Sequence, residues 1–329
     1  MTTRSSTFRP RASGPILVAV CSLLALGCDL AEFEPIVEAD ALPNPKPAAL
    51  TLSGDATRVW VADYENVGGT TTAVLRGFDA MTGETLAERN IAGDLGEGWN
   101  IVGLAPETEV GHERDVWVLH QNGYQLRWNA SLSTWNDWAS PAPGTGLPCD
   151  IARSPDGTTY ITSMSITVPA PPAEPGYVSF AGWSYYLHER SVSGQWSTVE
   201  VVSDTGNAHC PSVAYDQGLD RIAVLSHDFG KIRVYSPDLA FISETEFSGL
   251  GGHPQDLATI NSVFVLALDG ATSSLTVIGP DGLVMDSVPM DRAKGVYMQV
   301  EDGDLFHVWW TGRDILDEYG AGRVLLTEK

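Results

Sequence analysis

Eight side chains recur at two kinds of place in this chain, and together they have the composition of a site for a cation or a polar ligand. Asn100, Asp150, His209 and Asp256 stand at or just before short apolar segments, and Asp63, His120, His227 and Asp269 close the stronger apolar segments that follow. Carboxylate, imidazole and amide oxygen are ordinary ligands for divalent cations, calcium among them. Trp99, His253, Lys294, Ser163 and Thr311 fall at equivalent points. The plainer reading is that strand ends near solvent are polar whatever the protein does.

The elements that must position these residues are strands. Helical periodicity is almost absent, and runs of Val, Ile, Tyr, Trp and Thr alternate with turn clusters such as Ser154-Pro-Asp-Gly157 and Gly279-Pro-Asp-Gly282, the pattern of antiparallel strands joined by hairpins. Aligned on one another, the runs form six repeats. First strands are expected at 49–53, 101–105, 150–153, 212–215, 256–260 and 296–300, each followed by a stronger strand such as Val59-Trp-Val-Ala-Asp63 or Val116-Trp-Val-Leu-His120. Third strands include Lys231–Tyr235 and Ser274–Ile278, and more polar fourth strands follow them. Repeat starts come roughly every 40 to 60 residues, the spacing of propeller blades. The expected fold is an all-β, six-bladed β-propeller of four-stranded antiparallel blades, over 48–329. Seven blades would need a repeat outside this alignment. Trp60, Trp117, Tyr160, Phe264 and Phe306 recur in the second strands and are expected to pack between blades rather than stack on a ligand.

With the repeat in hand, Val59–Leu86 and Val263–Val288 resemble secreted bacterial propellers of the YVTN and NHL type, a likeness of fold and not of any enzyme family. The last segment, 296–329, reads as holding all four strands of its own blade, although 33–37 could add an outer strand. The mouth residues resemble, in general style, the channel-mouth metal site of gluconolactonase-type hydrolases, but that family's Glu, Asn, Asn and Asp ligands do not map one by one onto this chain.

Residues 1–27 carry Arg4, Arg9 and Arg11 and then the apolar run Ile16–Leu26, the layout of an export signal too short to span a bilayer comfortably. Leu24-Ala-Leu-Gly-Cys28 resembles the bacterial lipoprotein signal, which implies cleavage before Cys28 and its acylation with fatty acid such as palmitate. An ordinary signal peptide containing a cysteine is the alternative. Residues 28–47, acidic and then proline-spaced, read as an extended tether. The expected location is the cell envelope, on either membrane, lipid-anchored and facing the periplasm or the surface. The net charge is −23, and loss of the three arginines makes it more negative still. Such a chain repels phosphate backbones, which excludes nucleic acid as a partner.

Two cysteines, Cys149 and Cys210, remain in the exported domain, and thiols in an oxidising compartment usually pair. Two separately buried thiols are the alternative. Both precede first strands of neighbouring repeats, which radial stacking would bring together at one mouth of the central channel. First strands start and second strands end at that mouth, the usual ligand position in this architecture. The stretches 166–176 and 65–72 are expected to overhang it as loops, and 106–114 to lie on the opposite face. The chain has no G-x-S-x-G, H-E-x-x-H, phosphate-cradling glycine loop or C-x-x-C-H. His112-Glu113 and His188-Glu189 are each expected in a solvated loop or at a strand edge. The balance favours a non-catalytic binding or scaffold protein with a protein or glycan partner. A metal-dependent, lactonase-like hydrolase is the alternative, and an envelope assembly component a third.

Overall fold

A computed structural model of the chain describes residues 28–38, 49–67, 70–91, 101–139, 146–167, 182–204, 209–226, 230–250, 252–270, 273–300, 306–313 and 319–328. Every regular element among them is a strand, and the strands form six four-stranded antiparallel sheets. The first blade holds β2 (Ala49–Leu52), β3 (Arg58–Val67), β4 (Thr70–Asp79) and β5 (Thr85–Asn90). The second holds β6 (Ile101–Pro106), β7 (Val116–His120), β8 (Gln125–Trp128) and β9 (Trp135–Ala139). The third holds β10 (Leu147–Arg153), β11 (Thr159–Thr167), β12 (Gly182–Arg190) and β13 (Trp196–Asp204). The fourth holds β14 (Ser212–Asp216), β15 (Arg221–Ser226), β16 (Lys231–Tyr235) and β17 (Phe241–Glu246). The fifth holds β18 (His253–Ile260), β19 (Val263–Asp269), β20 (Ser274–Ile278) and β21 (Val284–Pro289).

The sixth blade departs from the sequence expectation. The C-terminal segment supplies three strands, β22 (Asp291–Val300), β23 (Phe306–Arg313) and β24 (Tyr319–Glu328), and the outer fourth is β1 (Cys28–Glu38). Strand β1 runs antiparallel to β24, with Cys28 opposite Glu328 and Glu38 opposite Tyr319. The first eleven residues of the supposed tether are therefore part of the disc, hydrogen-bonded to residues 319–328. The physical reason is the unpaired edge that β24 would otherwise present. Residues 65–72 are likewise not a free loop: Glu65 pairs with Thr72 and Val67 with Thr70, which lengthens the β3–β4 hairpin. Most of 166–176 lies outside the described residues.

The core is divided between blades. Six apolar clusters fill the six interfaces of the ring in turn, from Trp60 against Trp128 between blades one and two to Val37, Leu50 and Trp309 between blades six and one. Trp60, Tyr160 and Phe264 are buried and serve as this filling. Each such side chain contributes roughly 1.5–3 kcal/mol by leaving water. The packing leaves little slack, because a Cβ added at Gly77 would stand 2.5 Å from the Trp60 ring. The turns are built by local chemistry. In Ser154-Pro-Asp-Gly157 the Asp156 carboxylate accepts the Thr158 N–H at 3.1 Å, and Gly157 takes a φ of 92° that a side chain would resist.

Candidate binding site at the channel mouth

At the mouth, two inner strands carry the same short motif, Pro148-Cys-Asp-Ile-Ala152 in β10 and Pro254-Gln-Asp-Leu-Ala258 in β18. In each the ladder register shifts between the proline and the aspartate. Such a bulge re-aims the following side chain. Asp150 Oδ1 accepts the N–H of Ile151 at 2.8 Å, and its Oδ2 accepts that of Val213, in blade four, at 2.8 Å. Asp256 repeats the arrangement with Leu257 at 2.8 Å and with Val296, in blade six, at 2.9 Å. Gly103 makes room for this arrangement, because a Cβ there would come within 2.8 Å of Asp150 Oδ1. Both carboxylates line a narrow, mainly apolar channel cavity of about 60 Å³, space for a few waters. Burial pushes Asp256 up to about 7. Burial, reinforced by the charge of Asp256, pushes Asp150 well above the usual carboxylate range, against the pull of its two backbone donors.

Around these two carboxylates lies a polar rim. Cys149 and Cys210 form a disulfide with a Cα separation of 5.2 Å, which ties the start of β10 to the segment leading into β14. The exposed rings of His209 and His253 lie 6.3 Å apart and nearly parallel. Lys294 Nζ bridges Gln255 Oε1 at 2.7 Å and Asp269 at 2.6 Å. The mouth thus brings together five of the expected residues, Cys149, Cys210, Asp150, Asp256 and His209, with Asp269 joined to the rim through Lys294.

Other expected positions are held apart. Asp63 is wholly buried inside blade one against Arg76 at 3.1 Å, and Arg76 turns its other edge to Glu88 at 3.0 Å. His120 is wholly buried at the end of β7, and desolvation pushes its imidazole down to about 4, which leaves it neutral. Asn100 and His227 lie outside the described residues. Among the described residues no group of three or more His, Cys, Asp or Glu side chains is placed to hold a metal ion. His112 sits half-exposed in a turn beside Asp115, as expected for a solvated loop. His188 does not: it is buried in β12 between Ser163 Oγ and Thr198 Oγ1, each at 2.8 Å, and desolvation pushes it to about 4. Sequence reasoning missed Arg76 as the counter-charge of Asp63, although an Arg on the strand paired with an apolar run ending in Asp was a usable signal.

These features define a six-bladed propeller whose channel mouth carries a disulfide and two carboxylates that bridge blades. No protein-family model matches the chain, and no curated protein matches it in sequence. Among solved structures it is similar to regucalcin from Agrobacterium tumefaciens, described as a calcium-binding protein, with 12% identity, a TM-score of 0.59, and coverage of 91% of this chain and 94% of that one. It is also similar to a streptogramin B lyase, with 13% identity, a TM-score of 0.54, and coverage of 92% and 98% respectively. At such identities the likeness is one of fold alone.

Proposed function

We propose that this protein is an exported, lipid-anchored propeller of the cell envelope that binds a protein or glycan partner at its channel mouth without catalysis. The observation that supports this reading is the commitment of the mouth carboxylates. Asp269 is ion-paired with Lys294, and Asp150 and Asp256 accept backbone N–H groups of the next blade. Carboxylates held in this way fix the shape of a rim and are poorly disposed as ligands or bases. The disulfide accords with an oxidising compartment. Fractionation of cells expressing Cys28→Ser tests the anchor: the variant should leave the membrane, and continued retention contradicts lipidation. Co-purification of the wild-type chain from its own membrane should yield a partner that is lost when His209 and His253 are both replaced by Ala.

One observation favours a second reading, a metal-dependent hydrolase: Asp150 and Asp256 both line the channel, in a fold shared with a calcium-binding protein and a lyase. Elemental analysis of protein purified without added metal, together with calcium-induced thermal shift of Asp150→Ala and Asp256→Ala, separates the two. Bound cation in the wild type, and a calcium shift lost in the variants, would replace the binding reading.

A further inference from the structure

Strand β1 fixes where a lipid on Cys28 would leave the disc. In every blade the inner strand runs from the mouth to the opposite face, and the three antiparallel strands that follow alternate, so each outer strand starts on the face opposite the mouth. Cys28 is the first residue of the outer strand of blade six, paired with Glu328 at the end of β24. A flexible tether over 28–47 would let the domain stand roughly 25 Å off a bilayer and tumble. Pairing from the first residue of β1 leaves no such tether, and the backbone enters the disc at the acylation site.

The distribution of exposed apolar side chains is independent of that cysteine and selects the same face. Among the described residues, all the exposed large hydrophobic side chains except Leu147 and Ile166 stand in the turns, or at the starts of outer strands, on the face opposite the mouth. Met81 and Leu283, 82% and 67% exposed, occupy equivalent turns of blades one and five, the two blades that flank blade six, and Leu86 and Val284 stand beside them at the starts of β5 and β21. Because β1 is an outer strand, Cys28 alone would let the disc stand on its rim. Val110 and Leu219, exposed in the turns after inner strands β6 and β14, carry the apolar surface inward from the rim. Asp55, Asp156 and Asp281 on this face are hydrogen-bonded within their own turns, and a chain of net charge −23 gains nothing from anionic headgroups.

We propose that the face opposite the mouth is a lipid-contacting surface: the disc lies flat on the bilayer with the Cys28 acyl chains inserted beside Met81 and Leu283, and the channel mouth points away from the membrane. The inference rests on the reading of Cys28 as the lipidation site. Apolar side chains that settle into the headgroup boundary add to the burial of the acyl chains, and the contact is apolar and not electrostatic. The orientation presents His209, His253 and the disulfide to a partner in the aqueous phase and keeps the mouth clear of lipid.

The test uses the full chain purified from its own membrane, with mass spectrometry of the N-terminal peptide to read acylation of Cys28, and reconstituted on phosphatidylcholine vesicles that carry a headgroup nitroxide as quencher. A fluorophore is attached at Met81→Cys, at Val110→Cys or at Asn122→Cys. The last two sit in exposed turns of blade two on opposite faces of the disc, and circular dichroism confirms that each labelled variant is folded. Quenching at positions 81 and 110 should exceed that at 122 at least about threefold, and added salt should not reduce it. Equal quenching at 110 and 122 means that the disc stands on its rim, and stronger quenching at 122 means that the mouth faces the lipid; either result on acylated protein overturns the orientation and leaves the anchor standing. An unmodified Cys28 overturns both. A flexible Gly-Ser insertion of about a dozen residues between Cys28 and Asp29 should remove most of the contrast, and a contrast that survives it overturns the role given to the pairing of β1.

Discussion

The carboxylate of Asp256 accepts the backbone N–H of Val296 at 2.9 Å, so the inner strands of blades five and six are joined through a side chain and not through a ladder. Asp150 and Val213 repeat the relationship two blades earlier, between blades three and four. Each bond is made by an aspartate set just after a bulge, which gives the channel wall two identical bridges.

Asp256 carries a pH signature. Its pKa is about 7 in the fold against 3.8 as a free carboxyl, so between those values the folded chain holds a proton that the unfolded chain has released. Its stabilising contribution is fully present below the lower value and is lost as pH rises through the upper one. His120 and His188, both pushed down to about 4, act in the opposite sense, losing stability as pH falls from 6.5 toward 4. Comparison of wild type with Asp256→Asn cancels the histidines. The melting temperature of the variant should rise relative to wild type between pH 5 and pH 8, and a difference that does not change with pH would contradict the assignment.

The Cys149–Cys210 bond spans 61 residues of sequence. Chain-entropy reasoning gives such a cross-link about 4 kcal/mol through restriction of the unfolded state. Denaturant unfolding with and without reductant, and of Cys149→Ala with Cys210→Ala, should show a clear loss of midpoint in both comparisons. An unchanged midpoint would mean that the bond adds nothing that the blade packing does not already supply.

Arg76 and Asp63 form a pair whose side chains are 4% and 0% exposed. Removing one partner strands a buried charge, and Arg76→Met should cost about 3–5 kcal/mol. Asp63→Leu with Arg76→Met should recover most of that loss, since two apolar groups leave no charge unsolvated. A double-mutant cycle by chemical denaturation reads the coupling directly.

Deletion of 28–38 removes the strand that covers β24 and takes Val37 from the closing interface. The shortened chain should melt lower and associate through the exposed edge, as seen by light scattering. A synthetic peptide of residues 28–38 added in trans should reverse both effects. A shortened chain that stays monomeric and equally stable would show that closure by β1 is dispensable.

Much of this architecture was legible beforehand because its causes are local. Lys231–Tyr235 and Ser274–Ile278 were read as third strands with the boundaries they have in the fold, since period-two alternation and Gly-containing turns act over a few residues. The blade count followed from the same signals repeated six times. The placement of Cys149 and Cys210 together followed from the repeat as well, once neighbouring inner strands were taken as adjacent in space. The acidic, Pro35-containing segment 28–38 reads as tether by composition, with only 33–37 open to reading as an outer strand, and the edge of β24 makes a strand of the whole of it. The burial of His120 and His188 was equally invisible, since nothing local distinguishes a buried histidine from one at a rim.

By itself, then, the amino-acid sequence determined the strands, their turns, their sixfold repetition and the cysteine pair, because hydrophobic alternation and turn preferences are properties of short segments. Only the tertiary structure decided how the ring closes and which carboxylates are held by Arg76, Lys294 or a neighbouring backbone. Those outcomes depend on which residues distant in sequence become neighbours, and burial then sets the strength of every charge among them.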